Sequence, residues 1–202
     1  MTKIKLCGLR RMCDIEAANE LRPDYIGFVF AKRSKRHVTS AEAKRLKEAL
    51  HPEIKAVGVF VDEAPEKVAA LLREGVIDLA QLHGTEDAAY LARLRGLTDA
   101  SLLQAFRIAA KEDIARAEKS GADHVLLDAG EGSGETFHWA LAKGMTRPFF
   151  LAGGLSPENV AEAVKMLRPF AVDVSSGIET DGAKDREKMA AFVRAVRKDG
   201  AG

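Results

Sequence analysis

A cysteine, an aspartate and an arginine stand out as groups able to do chemistry, each at or just beyond the end of a short apolar run. Cys7 closes KIKLC and is followed at once by glycine in KIKLCGLR; Asp128 closes HVLLD; Arg36 lies in KRSKRHV, residues 32–38, just after YIGFVF. A thiol and a carboxylate that face one another make an acid and base pair, one giving a proton while the other takes one. The planar fork of an arginine suits a carboxylate bidentately, which a lysine does not match. His83, at the end of LAQLH, is either a third proton-exchanging group or a satisfied structural residue beside a tight turn at Gly84. Two more stretches, LAGGLSPENV with Gly153 and Gly154 and VDVSSGIE with Ser176 and Gly177, offer bare backbone N–H groups and hydroxyls, the material of an anion cradle. Each of these residues also has a plain reading: a core thiol, a turn aspartate, a solvated basic loop, ordinary turn glycines. Position decides between the readings.

The elements that must position them recur along the chain. Short β-branched or aromatic runs at 3–7, 25–30, 56–61, 79–83, 102–106, 124–128, 149–153 and 171–175 alternate with amphipathic helical patterns. Those patterns fall near 14–21, 40–49, 64–74, 87–94, 111–120, 137–142, 157–167 and 185–198, with Pro157 suited to a first helical turn and Cys13 on the core-facing side of the first helix. Alternation of strand and helix implies a parallel sheet with right-handed crossovers, and eight units imply a closed (β/α)8 barrel. An open doubly wound sheet would want GxGxxG after its first strand, where this chain has Gly8, Leu9, Arg10 and Arg11. At 202 residues the barrel must be compact with short loops and an abbreviated sixth helix, and residues 1–202 read as one domain of α/β class. Active sites of such barrels lie at the C-terminal strand ends, which is where the candidate residues fall, and the loops after strands 7 and 8 frequently hold a phosphate. A ligand bearing both a phosphate and a carboxylate would use all of them.

Composition removes several other classes. Thirty-one Lys and Arg against thirty Asp and Glu leave a formal charge of +1, and the basic stretch has no interleaved aromatics, so nucleic acid is not the expected partner. No apolar run reaches the length of a membrane span, and strand-like sequence begins at Lys3 without a signal segment, so a cytoplasmic protein with no membrane partner is expected. Cys7 and Cys13 fit neither a CxxC pair nor a zinc knuckle and are expected to stay free.

KLCGL, GFVF followed by KRSKRHV, VGVFV, QLHG, LLDA with GSGETF and a Trp, LAGGLSPENV, and RPFAVDVSSGIE with GAKD together resemble the phosphoribosylanthranilate isomerase family of tryptophan biosynthesis. The resemblance runs from Lys3 to the last helix. It implies an Amadori rearrangement of a small phosphorylated, carboxylated substrate without cofactor or metal, in a monomer or homodimer. It further implies Cys7 as general base, Asp128 as general acid, Arg36 as binder of the substrate carboxylate, and Gly153, Gly154, Ser176 and Gly177 in phosphate-binding loops. Asp173 aligns with a polar residue of the same mouth. Leu6, Arg10, Glu131 and His138 depart from residues usual in the family, and none removes a proposed catalytic group. A sibling phosphosugar isomerase or epimerase, which the resemblance implies would carry Asp in place of Cys7, and a catalytically idle phosphate-binding module are the alternatives. A base must be available deprotonated, so Cys7 is expected to be a readily ionised thiol that alkylates faster than Cys13.

Overall fold

Strand runs that are apolar on both faces must be covered on both, and the chain does this by closing its sheet and wrapping it in helices. The computed structural model describes residues 1–128 and 139–198. β1 (Lys3–Cys7), β2 (Tyr25–Val29), β3 (Lys55–Phe60), β4 (Leu79–Leu82), β5 (Leu102–Arg107), β6 (His124–Asp128), β7 (Phe149–Ala152) and β8 (Ala171–Val174) pair in parallel in sequence order. β8 pairs back onto β1 and closes the barrel, with Lys5 beside Asp173 in register. The crossovers are α1 (Met12–Leu21), α2 (Ser40–Glu48), α3 (Pro65–Arg73), α4 (Ala88–Arg95), α5 (Lys111–Glu118), α6 (Trp139–Ala142) and α7 (Val160–Leu167), and α8 (Arg186–Lys198) follows the last strand. All eight predicted strands form, within a residue at each end. Residues 137 and 138 of the predicted sixth helix lie outside the described residues.

Alternation along each strand sorts side chains into two cores. Ile4, Leu6, Ile26, Phe28, Phe60, Leu82, Val125, Leu127, Leu151 and Val172 point outward and pack against Ile15, Leu46, Val68, Phe192 and Val193 of the helices. Tyr25, Val57, Leu79, Leu103, Leu126 and Phe150 fill the barrel itself. Each large side chain removed from water contributes roughly 1.5–3 kcal/mol. Helix starts follow local chemistry: the Thr39 hydroxyl accepts from Glu42 N–H while the Glu42 carboxylate accepts from Thr39 N–H, and the Asp87 carboxylate accepts from Tyr90 N–H. Among the described residues no helix is long and apolar enough to cross a membrane.

Two expectations need correction, and one element is additional. Cys13 is exposed rather than core-facing, because α1 turns Asp14, Ile15, Ala17 and Ala18 inward. Asp14 takes the inner position since its carboxylate accepts the N–H groups of Arg10 and Arg11, both at 3.0 Å, which satisfies donors at the helix start. Pro157 precedes α7: Val160 N–H donates back to the Ser156 carbonyl, and the regular helix begins there. Between β8 and α8 the chain adds a 3-10 turn (Ser176–Ile178) and a small antiparallel hairpin, β9 (Glu179–Thr180) with β10 (Ala183–Lys184). Asp181 and Gly182 both have positive φ, 51° and 74°, at its tip.

Candidate active site

The alternation that sends Ile4 and Leu6 outward sends Lys5 and Cys7 into the barrel. Cys7 is 8% exposed and lines a cavity of about 610 Å³ at the C-terminal mouth, within the range of small-molecule sites. Gly27, its neighbour across the sheet, makes room for it: a Cβ there would stand 2.7 Å from Cys7 Sγ. Beneath the thiol Lys5 is wholly buried, and its Nζ lies 2.8 Å from Asp173 Oδ2. Burial alone would lower the lysine, and the Asp173 carboxylate overrides it, so the ammonium is held above its ordinary value. Burial pushes the Cys7 thiol up, with Lys5 and Lys184 pulling it back and Asp173 adding to the rise. This reverses the expectation of a readily ionised thiol. Of the two thiols, Cys13 is the exposed one.

Across the mouth, Asp128 at the end of β6 faces His83, whose Nε2 is 3.1 Å from Asp128 Oδ2. The buried Gln81 amide nitrogen lies 3.1 Å from His83 Nδ1. With the amide donating to Nδ1, the network assigns the proton to Nε2, which donates to the carboxylate. Gln81 thereby orients His83, and His83 holds one oxygen of Asp128.

Arg36 reaches inward from the loop after β2, over Gly8, where a Cβ would meet Arg36 Cδ at 2.5 Å. Its Nε and Nη2 donate to the two oxygens of Glu179 at 2.6 and 2.7 Å, a bidentate pair that shows the fork is held in carboxylate-binding geometry. Lys184 Nζ adds a contact at 2.7 Å to Glu179 Oε1 and donates to the Ser175 carbonyl at 2.9 Å. Burial would raise Glu179, but Arg36 and Lys184 together hold its carboxyl at about 2.

On the opposite rim Gly153 and Gly154 have φ of 86° and 65°, which side chains rarely adopt, and both line the cavity with Ser176. The Asn159 amide donates to the Gly154 carbonyl at 2.9 Å and fixes this loop. Gly177 does not line the cavity; a Cβ there would collide with the Leu155 carbonyl oxygen, so its role is to let the β7 and β8 loops touch. Val29, Val59 and Leu155 supply apolar wall. Cys7, Arg36, His83, Asp128, Gly153, Gly154, Asp173 and Ser176 thus meet at one cavity, while the GSGETF segment with Glu131 and His138 lies outside the described residues. Sequence reasoning missed Lys5, Gln81, Glu179 and Lys184. Of these only Lys5 carried a signal, sharing a strand face with Cys7 two residues on. Among the described residues no group of three or more His, Cys, Asp or Glu is placed to hold a metal ion.

A closed parallel barrel whose mouth gathers proton-exchanging side chains and anion-binding loops belongs to the (β/α)8 proteins with an acid–base site. Residues 4–195 match the family described as N-(5'-phosphoribosyl)anthranilate (PRA) isomerase. N-(5'-phosphoribosyl)anthranilate isomerase of Thermoanaerobacter pseudethanolicus is 44% identical over 204 residues, spanning 98% of each chain. The crystal structure of phosphoribosyl anthranilate isomerase from Thermotoga maritima matches with a TM-score of 0.90 at 34% identity, over 98% of this chain and 100% of that one. Phosphoribosyl anthranilate isomerase in complex with reduced 1-(o-carboxyphenylamino)-1-deoxyribulose 5-phosphate matches at 0.88 and 34%, with the same coverage. The chain belongs to the phosphoribosylanthranilate isomerase family.

Proposed function

We propose that this chain, acting as one catalytic domain, converts N-(5'-phosphoribosyl)anthranilate to 1-(2-carboxyphenylamino)-1-deoxyribulose 5-phosphate, with Asp128 as general acid and Cys7 as general base. The observation that carries the assignment is the single cavity into which Cys7, Asp128, Arg36 and the β7 and β8 loops all open. Asp128 protonates the furanose ring oxygen as its bond to C1' breaks, leaving an iminium between C1' and the anilino nitrogen. That cation acidifies C2'–H. Cys7 as thiolate removes this proton, and the enolamine tautomerises to the ketone. Each proton transfer contributes on the order of 10² to 10⁴ in rate. His83 holds the Asp128 carboxylate in place at the cavity mouth. Arg36 takes the substrate carboxylate in competition with Glu179, which Lys184 also holds; Gly153, Gly154 and Ser176 take the phosphate, and Gly177 keeps the two loops in contact. Anchors at both ends hold C2' near the thiolate, an orientation effect of several kcal/mol. No cofactor or metal enters this scheme.

A fluorescence assay with phosphoribosylanthranilate generated in situ, run with and without a chelator, tests it. Turnover in both conditions is the expected result. Phosphate binding without turnover would leave an idle binding module. Turnover only of another phosphosugar would move the chain to a sibling activity, and loss of activity on chelation would overturn the metal-free scheme.

A further inference from the structure

Among the described residues, the barrel interior contains a buried charged pair, Lys5 and Asp173, to which the scheme above gives no work. Lys5 is 0% exposed, so it can reach no substrate, yet it is held charged at the level just below the reacting thiol. Its Nζ is 2.8 Å from Asp173 Oδ2, and Cys7 follows it two residues on along the same inward face of β1, buried beside it. One buried cation therefore has two neighbours that can each be anionic, the carboxylate it touches and the thiol beside it on the strand face. The second carboxylate oxygen, Asp173 Oδ1, is buried without a partner among the described residues, so the pair is less than fully satisfied.

We propose that Lys5 is the positioning residue of the base: its ammonium is the counter-ion of the Cys7 thiolate, and Asp173 competes with the thiolate for it. The proposal rests on Cys7 acting as base. Other charged and titratable groups at this end, among the described residues, are Lys184 from β10, Lys35, Arg36 and Glu179 beyond the thiol, and His83 and Asp128 across the cavity. β2 and β3 present only Gly27, Val29 and Val59 to it. Lys5 is distinguished by pairing with Asp173 while lying beside the thiol on the same strand face. In the reaction the thiolate takes the C2' proton. The C–H electron pair forms the C1'–C2' double bond while the iminium π pair moves to nitrogen. The thiol then passes that proton to water and is restored as thiolate beside Lys5. The electrostatic logic is that a thiolate in a closed site needs a fixed counter-charge, and a buried ammonium supplies one that solvent does not screen.

The two members of the pair act on the thiol with opposite sign, which separates this role from a packing role. In a Cys13→Ser background, which removes the exposed thiol, Cys7 ionisation is read without substrate from the pH dependence of iodoacetamide alkylation and from thiolate ultraviolet absorbance. Asp173→Asn leaves the ammonium to Cys7 alone, and alkylation at fixed pH should become about tenfold faster, one unit of thiol pKa. Lys5→Met with Asp173→Asn removes both charges without stranding either, and alkylation should become about tenfold slower than in the parent. Opposite shifts support the counter-ion role. Shifts of the same sign, or no acceleration in Asp173→Asn, overturn it, and the latter arm decides even if the double variant does not fold. Turnover of Cys7→Ser is measured alongside: retained activity would remove Cys7 as base, a failure distinct from that of Lys5.

Discussion

Two strands carry side chains of one face from one end of the barrel to the other, and the two ends are built from opposite materials. β1 contributes Lys3 at the N-terminal end and Cys7 at the C-terminal end; β6 contributes His124 and Asp128 in the same way. At the N-terminal end His124 stacks on Phe170 at 5.6 Å, Phe150 tilts against Tyr25 and Phe170 at 5.5 Å each, and Lys3 Nζ sits 4.9 Å from the Phe170 ring centroid. Rings and a ring-bound cation close that end, with no buried ion pair of the Lys5–Asp173 kind among the described residues. At the C-terminal end the same depth of barrel holds Lys5, Asp173, Cys7 and Gln81, with Gln81 Oε1 and Asp173 Oδ1 buried and without hydrogen-bond partners among the described residues. The contrast teaches that stability and chemistry are divided along each strand: one end maximises apolar contact, and the other tolerates desolvated polar groups because they face the ligand.

The largest effect is expected where stability is concentrated. Phe150→Ala empties a fully buried ring position that touches Tyr25, His124 and Phe170 and should cost about 3–5 kcal/mol of unfolding free energy, read by denaturant titration. The kcat of the folded fraction should stay within about twofold of the parent, since the change is distant from the proton transfers. A collapse of kcat in folded protein would break the division between the ends.

Asp128→Asn is the converse. It preserves shape and the acceptor for His83 but cannot deliver a proton, so kcat should fall by at least about two orders of magnitude while the thermal midpoint barely moves. Near-parental turnover would take Asp128 out of the mechanism.

Arg36→Met sharpens the comparison within the catalytic end, because it keeps stem volume and deletes the fork. Loss of a charge-assisted pair should cost roughly 1.5–3 kcal/mol in kcat/KM. Glu179 keeps Lys184 as a partner, so the fold should survive. If the mutation penalises a substrate analogue lacking the carboxylate just as heavily, Arg36 binds something else.

Much of the barrel and about half of its mouth were legible in the sequence, for reasons visible in particular residues. HVLLD and KIKLC, short runs rich in β-branched or aliphatic residues, announced both their extent and the reactive group at their ends. What failed depends on distant pairing. Lys5 in an apolar run has no reason to be buried until Asp173 meets it 168 residues later, and Arg36 finds Glu179 143 residues on. The hairpin after β8 did have a local signal, Asp181-Gly182, but strands of two residues leave no periodicity to accompany it. Cys13 was misplaced because a buried Asp14 disguises the apolar face of α1, polar in type yet satisfied by the backbone at the helix start.

The smallest expected effect lies at the aromatic end and concerns pH. Burial lowers the His124 imidazole below its ordinary value, and the charges of Lys3 and Arg147 reinforce this against the opposing pull of Asp123. The folded protein therefore holds His124 neutral at pH values where the unfolded chain, titrating near 6.5, already binds a proton. Since the unfolded state binds more protons in that window, stability rises with pH through it; the contribution is complete above about 6.5 and is lost as pH falls below that value toward the folded one. The imidazole is only half-buried, so solvent screening keeps the effect under about 1 kcal/mol. His124→Phe retains the ring stack on Phe170 and removes the proton site. Denaturant midpoints measured on the parent and the variant between about pH 5.5 and 7.5 should show a shallower fall toward acid in the variant, with the pH profile of kcat unchanged. The difference between the two proteins isolates His124 from the other histidines, which both share. Equal slopes would remove the imidazole as a source of acid sensitivity, and a shifted kcat profile would mean that the aromatic end is electrostatically coupled to the acid and base above it.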